Sequence, residues 1–287
     1  MASPSMKLRR AIAVVVSIAL VAGCGTVPPY TGQGPHPQLE RGHRVPPVDF
    51  IGNVLSLPMK LLLWSWKFNL HSISPDTEEK LVEYLDARDL PMLEDTKFRL
   101  NEYRPDQDLS RLVKNRYVKW PYRLLLGLPM TLVIDVLLPG RLFPWGDYYN
   151  PYTNTVHLFS DHPAVALHEA GHAHDTATRR WKGTYAMVRI IPFVDLYQEY
   201  QASKEAIGYL KETADHEGEI KAYKILYPAY GSYVGAYIFA PIGTLVGVLI
   251  GHLAGRSEAR IKASAYQQQP AAAEPAPSEP DPTPATP

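Results

Sequence analysis

Two histidines and a glutamate within five residues are the part of this sequence best suited to chemistry. The run HEAGH places His168 and His172 four residues apart, with Glu169 directly after the first histidine. Residues four apart lie one turn apart on the same helical face, so both imidazoles can reach one metal ion. Neutral imidazole is a common zinc ligand, and a neighbouring carboxylate can accept a proton from water. The spacing predicts a zinc site with Glu169 as general base, although such a pair also occurs on helices without a metal.

The residues before this run are typical of a strand that leads into a helix. Ser160 and Asp161 are residue types that cap helix N-termini, and Pro163 is tolerated in a first turn. Residues 155–159 (TVHLF) are β-branched and aromatic, which predicts a short strand. His157 in this strand could contact a substrate or an oxyanion, but a histidine in a strand is more often structural.

A second polar helix, predicted at 195–212, supplies acids for a third metal ligand. Glu199 and Glu205 both belong to it. They lie six residues apart, about 120° round the helix, so they cannot both face one metal ion. Either acid is therefore a candidate on spacing alone.

Two further acids could hydrogen-bond a metal-binding side chain without binding the metal themselves. Asp195 lies one turn before Glu199, and Asp175 lies at the third position after His172, on the same helical face. Both acids are also typical of solvated or capping positions. His174 lies off the metal face and is expected at the surface.

The run HEAGH, followed by Glu199 and Ser203, resembles the gluzincin clan of zinc metallopeptidases, which combine HExxH with a later helix of ExxxD type. The resemblance implies that Glu199 binds zinc together with His168 and His172. It also implies that Ser203 stands where the clan has an aspartate that orients the first histidine. A serine hydroxyl can hydrogen-bond the ring but brings no charge, so the imidazole would be less polarised.

This resemblance covers roughly Tyr148 to Leu210, well under half of the chain. It implies a zincin-like core of two active-site helices with an edge strand beside them. An extended substrate could pair with the free backbone edge of that strand. The implied activity is hydrolysis of a peptide or protein substrate with Zn²⁺ as cofactor.

The N-terminus has the order of residues found in bacterial lipoprotein signals. Basic residues at 7–10 precede an apolar run at 11–22, and Cys24 follows as the only cysteine. We expect residues 1–23 to be a signal peptide and Cys24 to carry lipid, since a lone cysteine cannot form an internal disulfide. The alternative is an uncleaved anchor helix, for which the apolar run is short. Gly25 is not the aspartate that retains lipoproteins in the inner membrane, which favours the outer membrane of a Gram-negative cell envelope.

Composition argues against a nucleic-acid partner. It also predicts unstructured segments near both ends of the chain. Cleavage before Cys24 would remove three basic residues and leave 26 Lys and Arg against 29 Asp and Glu. This balance gives no electrostatic support for nucleic-acid binding. Residues 24–47 are rich in Pro and Gly, which predicts a flexible tether. Residues 263–287 contain seven prolines, which predicts a disordered tail.

Three apolar stretches remain. Those at 50–70 and 124–138 are each interrupted by proline and a charged residue, so neither is a clean membrane span. We expect core helices around the site, with interfacial helices on a bilayer as the alternative. The stretch at 225–255 carries glycines four or eight residues apart and resembles glycine-zipper segments. It is long enough to cross a bilayer, which would favour the inner membrane, whereas Pro241 favours a kink or a hairpin.

The sequence thus predicts a mainly α protein with a small β element (α+β). A zincin-like metallopeptidase domain at 48–222 precedes a glycine-rich, helical or membrane-associated segment at 223–262. The expected function is that of a membrane-anchored zinc metallopeptidase with Glu169 as general base. The alternative is a catalytically weak or inactive zincin-like lipoprotein with a structural or envelope-assembly role.

Overall fold

Helices make up most of the folded chain. The structure is a computed structural model that describes residues 36–42, 44–143 and 146–268. Within these residues, one small four-stranded mixed sheet accompanies the helices, so the expected mainly α class with a small β element is confirmed. The predicted signal at 1–23 and the lipidation site Cys24 lie outside the described residues.

Regular structure extends into both segments that were expected to be linkers. Strand β1 (Leu39–Arg41) lies within the tether expected at 24–47, and the side chain of Leu39 is buried in the core. The last helix continues to Gln268, into the tail expected at 263–287. A buried apolar side chain fixes the backbone that carries it, so the folded part begins before residue 48.

The sheet has the order β1, β2, β4, β3, where the later strands are β2 (Lys97–Leu100), β3 (Tyr148–Asn150) and β4 (Thr155–Leu158). Strand β4 pairs in parallel with β2 and antiparallel with β3. The prediction of an edge strand with a free backbone at 155–159 is therefore wrong. The short hairpin that begins at Tyr148 covers that edge, and a substrate cannot pair with β4.

Prolines begin the helices that precede the site: α1 (Pro46–Leu55), α2 (Leu57–Leu62), α3 (Pro75–Asp86), α4 (Pro91–Glu94) and α5 (Pro105–Lys114). Each has proline in its first two positions, where no intrahelical N–H bond is lost. Asp161 accepts hydrogen bonds from Ser74 and Thr77 at the start of α3. The expected cap of the HEAGH helix thus caps a different helix, distant in sequence.

Helix α6 (Trp120–Leu137) lies against the sheet through one face only. Two of its segments, Arg123–Gly127 and Thr131–Leu137, are π-helical. Asp135 accepts hydrogen bonds of 2.8 Å from Tyr148 and from Asn150, which fixes the inner face. The outer face is exposed and apolar, so the expectation that 124–138 is a core helix is wrong for that face. Among the described residues this is the one helix whose length and composition would suffice to cross a membrane.

The HEAGH run lies in the middle of helix α7 (Pro163–Thr178), which is mostly buried. It is followed by α8 (Lys182–Met187), a 3₁₀ turn (Val188–Ile190) and α9 (Val194–Glu212), close to the predicted 195–212. A side chain at Gly171 would collide with the backbone of Ala202. The two helices therefore approach closely, which brings α9 side chains next to His168.

Helices α10 (His216–Phe239) and α11 (Ile242–Gln268) form an antiparallel hairpin that turns at Pro241. The single membrane-crossing helix considered for 225–255 is therefore not formed, and the hairpin alternative is confirmed. The two backbones meet at glycines. A methyl group added at one of these glycines would overlap the carbonyl oxygen of its partner, in the pairs Gly235 with Gly243 and Gly231 with Gly247.

We expect the substitution Gly235→Ala to destabilise the protein by about 1–3 kcal/mol, because the new methyl group forces the two helices apart. The matched control is Gly208→Ala in α9, where an added methyl group meets open space. That variant should be stabilised by about 0.5–1 kcal/mol. Chemical denaturation measures both. Equal unfolding free energies in the two variants would contradict the close glycine contact.

Candidate metal centre

Two imidazoles of α7 meet one carboxylate of α9. His168 Nε2 lies 3.1 Å from Glu199 Oε2, and His172 Nε2 lies 3.3 Å from Glu199 Oε1. The two imidazole rings are nearly perpendicular, with centroids 4.7 Å apart. The structure thus brings together the three residues that the sequence predicts as zinc ligands.

The separations between these atoms fit a zinc ion. Zinc bonds to nitrogen and oxygen are about 2.0–2.1 Å long, so neighbouring ligand atoms around a tetrahedral ion lie about 3.3 Å apart. The observed nitrogen-to-oxygen distances of 3.1 and 3.3 Å match that value. Two imidazoles and a carboxylate are also a donor set of catalytic zinc sites, which leave a fourth position open.

Glu205, the competing acid, is engaged elsewhere. Its carboxylate accepts hydrogen bonds of 2.8 Å from Arg88 and 3.2 Å from Tyr84, and it lies 3.8 Å from His174. These groups face away from the metal face of α7. The structure therefore selects Glu199 over Glu205 and gives His174 a place outside the site, as expected.

Ser203 contacts the first histidine from behind. Its Oγ lies 3.2 Å from His168 Nδ1, while Nε2 of the same ring points to Glu199. This is the placement that the family resemblance implies for the residue four positions after the glutamate. A hydroxyl in this position orients the ring but adds no negative charge.

Arg189 is a site residue that the sequence analysis missed. It lies in the 3₁₀ turn before α9, and its guanidinium donates to Glu199 Oε1 and, over 3.3 Å, to Gln198. Burial alone would raise the pKa of Glu199, but His172, His168 and Arg189 together hold it well below its usual range. Glu199 is therefore ionised. No periodic pattern or motif in the sequence marks Arg189.

Glu169 lines a cavity of about 110 Å³ together with His168 and Glu199. It is 6% exposed. Burial, with added repulsion from Glu199 and Asp147, raises the pKa of Glu169 to about 8. The cavity thus holds a carboxylate that is next to the candidate ligands and distinct from them.

Asp175 and Asp195 have different partners from those expected. Asp175 forms hydrogen bonds with Arg179 and Tyr185, which fasten the end of α7 to α8. Asp195 accepts a hydrogen bond of 2.6 Å from Tyr237 of α10. Among the described residues, neither acid hydrogen-bonds His168 or His172. Of Ser203, Asp175 and Asp195, only Ser203 hydrogen-bonds a candidate metal ligand.

A second buried group of possible ligands is Asp108, Asp135 and His157. His157 Nε2 lies 3.9 Å from an oxygen of each carboxylate. Burial and the charges of Arg99 and Arg111 lower the pKa of His157 well below its usual range. The same positive charges disfavour a cation. In this group under the sheet, Asp108 and Asp135 are held by Arg99, Tyr148 and Asn150, while His157 Nε2 and one oxygen of Asp108 have no hydrogen-bond partner among the described residues. The neighbouring positive charges support the structural interpretation of His157 over a substrate contact.

No family model, no curated protein sequence and no solved structure matches this chain. The functional proposal below therefore rests on the residues of the site.

We expect the purified protein to bind about one zinc ion per chain, with loss of binding in a His168→Ala, His172→Ala double variant. Glu199→Gln should weaken binding strongly, because a neutral amide is a poor zinc ligand. Glu205→Gln, on the same helix but outside the site, is the matched control and should bind zinc like the unchanged protein. Elemental analysis after dialysis measures the stoichiometry. Loss of zinc in Glu205→Gln with retention in Glu199→Gln would show that the wrong acid is assigned.

Proposed function

We propose that this protein is a zinc-dependent metallopeptidase, anchored to a membrane of the bacterial cell envelope, that hydrolyses peptide bonds. The observation that carries the proposal is the position of Glu169. It shares a small buried cavity with His168 and Glu199 without being one of the three candidate ligands. A structural metal site has no need of an additional buried carboxylate, whereas hydrolysis needs a base beside the ligands.

The ligands have the support that a catalytic metal site requires. Ser203 holds His168 through Nδ1, so that Nε2 faces Glu199 and the position that the ion would occupy. Arg189 holds the carboxylate of Glu199 from outside. Bound zinc supplies a Lewis acid that polarises a carbonyl and acidifies water, and its charge favours the ionised form of a neighbouring carboxylate.

Glu169 is the candidate general base and general acid. As a carboxylate it accepts a proton from the water that attacks the peptide carbonyl, and it then donates that proton to the leaving amine. The peptide C–N bond breaks, and the products are a carboxylate and an amine. Tyr233, which lines the same cavity, is the candidate donor for the negative charge that develops on the carbonyl oxygen.

The second candidate function is that of a weak or inactive zincin-like lipoprotein with a structural or envelope-assembly role. Ser203 favours it, because an uncharged hydroxyl polarises His168 less than an aspartate would. The glycine hairpin also favours it, since helices that pack through glycine are typical of helix association in membranes.

Substitution of the proposed base separates the two functions. Glu169→Gln should keep the fold and the bound zinc, and we expect peptide cleavage to fall by about 100- to 10,000-fold. Cleavage of a fluorogenic peptide library measures the activity, and elemental analysis measures the zinc. Ser203→Asp should cleave as fast as the unchanged protein or faster. If zinc-loaded protein cleaves no peptide, or if Glu169→Gln is fully active, the structural function replaces the peptidase.

A further inference from the structure

Exposed apolar side chains are concentrated on neighbouring elements rather than scattered. They lie on α1 and α2, on the outer face of α6, in the segment 190–193, and on the halves of α10 and α11 next to Pro241. Residues 225–254 contain no Asp, Glu, Lys or Arg. Water-soluble monomers rarely expose contiguous apolar patches beyond a few hundred Å². Examples are Phe50, Leu61, Leu125, Ile190, Phe193, Ile238 and Leu253, each 61–77% exposed.

Contacts join these elements in series. Tyr122 of α6 hydrogen-bonds Thr184 of α8 over 2.8 Å, and the turn after α8 leads directly to Ile190. Phe193 then packs against Tyr237 of α10, with ring centroids 5.5 Å apart. The exposed surface of α6 thus continues through 190–193 to the hairpin.

Two further contacts join α1 and α2 to the hairpin and to α6, so that the series of elements is closed. Trp64, just after α2, stacks on His252 of α11 with ring centroids 3.9 Å apart. Arg141, just after α6, pairs with Asp49 of α1 over 2.9 Å. We call this closed series of exposed elements (α1, α2, α6, 190–193 and 238–253) the apolar ring.

The cavity that holds Glu169 lies next to the apolar ring. Its walls include Met59 of α2, which belongs to the ring, and Ser232 and Tyr233 of α10, which precede the 238–253 part of the ring. Arg189, beside the cavity, directly precedes Ile190. A substrate that enters between α2 and α10 therefore passes exposed apolar side chains before it reaches the cavity.

Tryptophans and basic residues in and beside the apolar ring indicate which partner suits this surface. The four tryptophans of the described residues are all 57–66% exposed. The Arg256 guanidinium lies 4.5 Å from the ring of Trp64, and the Lys119 ammonium lies 5.5 Å from that of Trp181. Trp66 and Trp120 each have a lysine as chain neighbour. Tryptophan beside a cation is typical of segments that lie at the interface of a bilayer with anionic lipid.

The geometry points to a membrane-docking surface: the apolar ring rests on a bilayer that contains anionic lipid, with the active-site cavity facing the lipid. If the proposed peptidase function holds, the substrate class is a polypeptide segment that lies in the bilayer or leaves it. Helix α6 lies on the bilayer and does not cross it, because Asp135 fastens its inner face to the sheet.

Labels at two distant points of the apolar ring test docking. The substitutions Leu125→Cys and Ile238→Cys in the full chain introduce thiols for an environment-sensitive dye. The matched control is Glu217→Cys at the start of α10, far from Pro241, where the side chain is 78% exposed. The unsubstituted chain corrects for labelling at Cys24. On vesicles of phosphatidylcholine and phosphatidylglycerol that carry nitroxide lipid, the labels at 125 and 238 should lose most of their fluorescence. The label at 217 should lose little.

Each other outcome overturns docking. If the protein is bound to the vesicles but the labels at 125 and 238 keep their fluorescence, only the N-terminal segment contacts lipid. Ring labels that are already shielded without vesicles show that a second copy of the chain covers the surface. These readouts need neither zinc nor peptide cleavage, so they are independent of the proposed activity.

A double variant, Leu125→Glu with Ile238→Glu, tests the substrate class separately. Cleavage of a vesicle-tethered peptide should fall at least tenfold, whereas cleavage of the same peptide in solution should not change. Equal cleavage of the tethered peptide by both proteins would overturn the inferred substrate class. Failure of the unchanged protein to cleave either peptide would instead count against the peptidase function.

Discussion

The buried carboxylate of Glu199 is the group on which the arrangement of this molecule depends. A carboxylate removed from water costs several kcal/mol unless hydrogen bonds and opposite charges replace the lost hydration. His168, His172 and Arg189 provide those partners, from α7 on one side and from the turn before α9 on the other. The two helices must therefore pack at close range. Gly171 against Ala202 makes that approach possible, and the same approach puts Ser203 behind His168.

The remainder of the fold buries one side of this pair of helices and leaves exposed apolar side chains on the other. The sheet, α3 and the halves of α10 and α11 that lie away from Pro241 cover α7 with a continuous apolar core. On the other side, α1, α2, α6 and the turn of the glycine hairpin present apolar side chains to the outside. The candidate site lies between these two regions. This position agrees with the proposed hydrolytic function and with the proposed docking of the exposed apolar surface on a bilayer.

Local features of the sequence predicted local features of the structure well. The four-residue spacing of His168 and His172 suffices to place both rings on one face, and the bounds of α9 follow from its polar helical composition. Glu199 required the resemblance to gluzincins, because spacing alone allowed Glu205. The choice between them depends on Arg88, which is distant in sequence and engages Glu205.

Features that depend on distant contacts could not be predicted. Strand β4 is not an edge strand because it is paired on both sides: β3, just before it in sequence, covers one edge, and β2, more than fifty residues earlier, pairs with the other. Asp161 looked like a cap of α7, yet it caps α3. Apolar composition does not distinguish a buried helix from one with an exposed apolar face, so a core helix was expected at 124–138, with an interfacial helix as the alternative. Arg189 carries no motif, since it reaches the site through tertiary contacts with Glu199 and Gln198.

X-ray absorption at the zinc edge, recorded on zinc-loaded full-length protein, tests the central claim most directly. Coordination by His168, His172 and Glu199 predicts two imidazoles and carboxylate oxygen at about 2.0–2.1 Å. The group under the sheet would instead give one imidazole with two carboxylates, and the spectrum would change in a His157→Ala variant. Two imidazoles, with a spectrum that is unchanged in His157→Ala, is the result that we expect. A spectrum with a single imidazole would contradict the account.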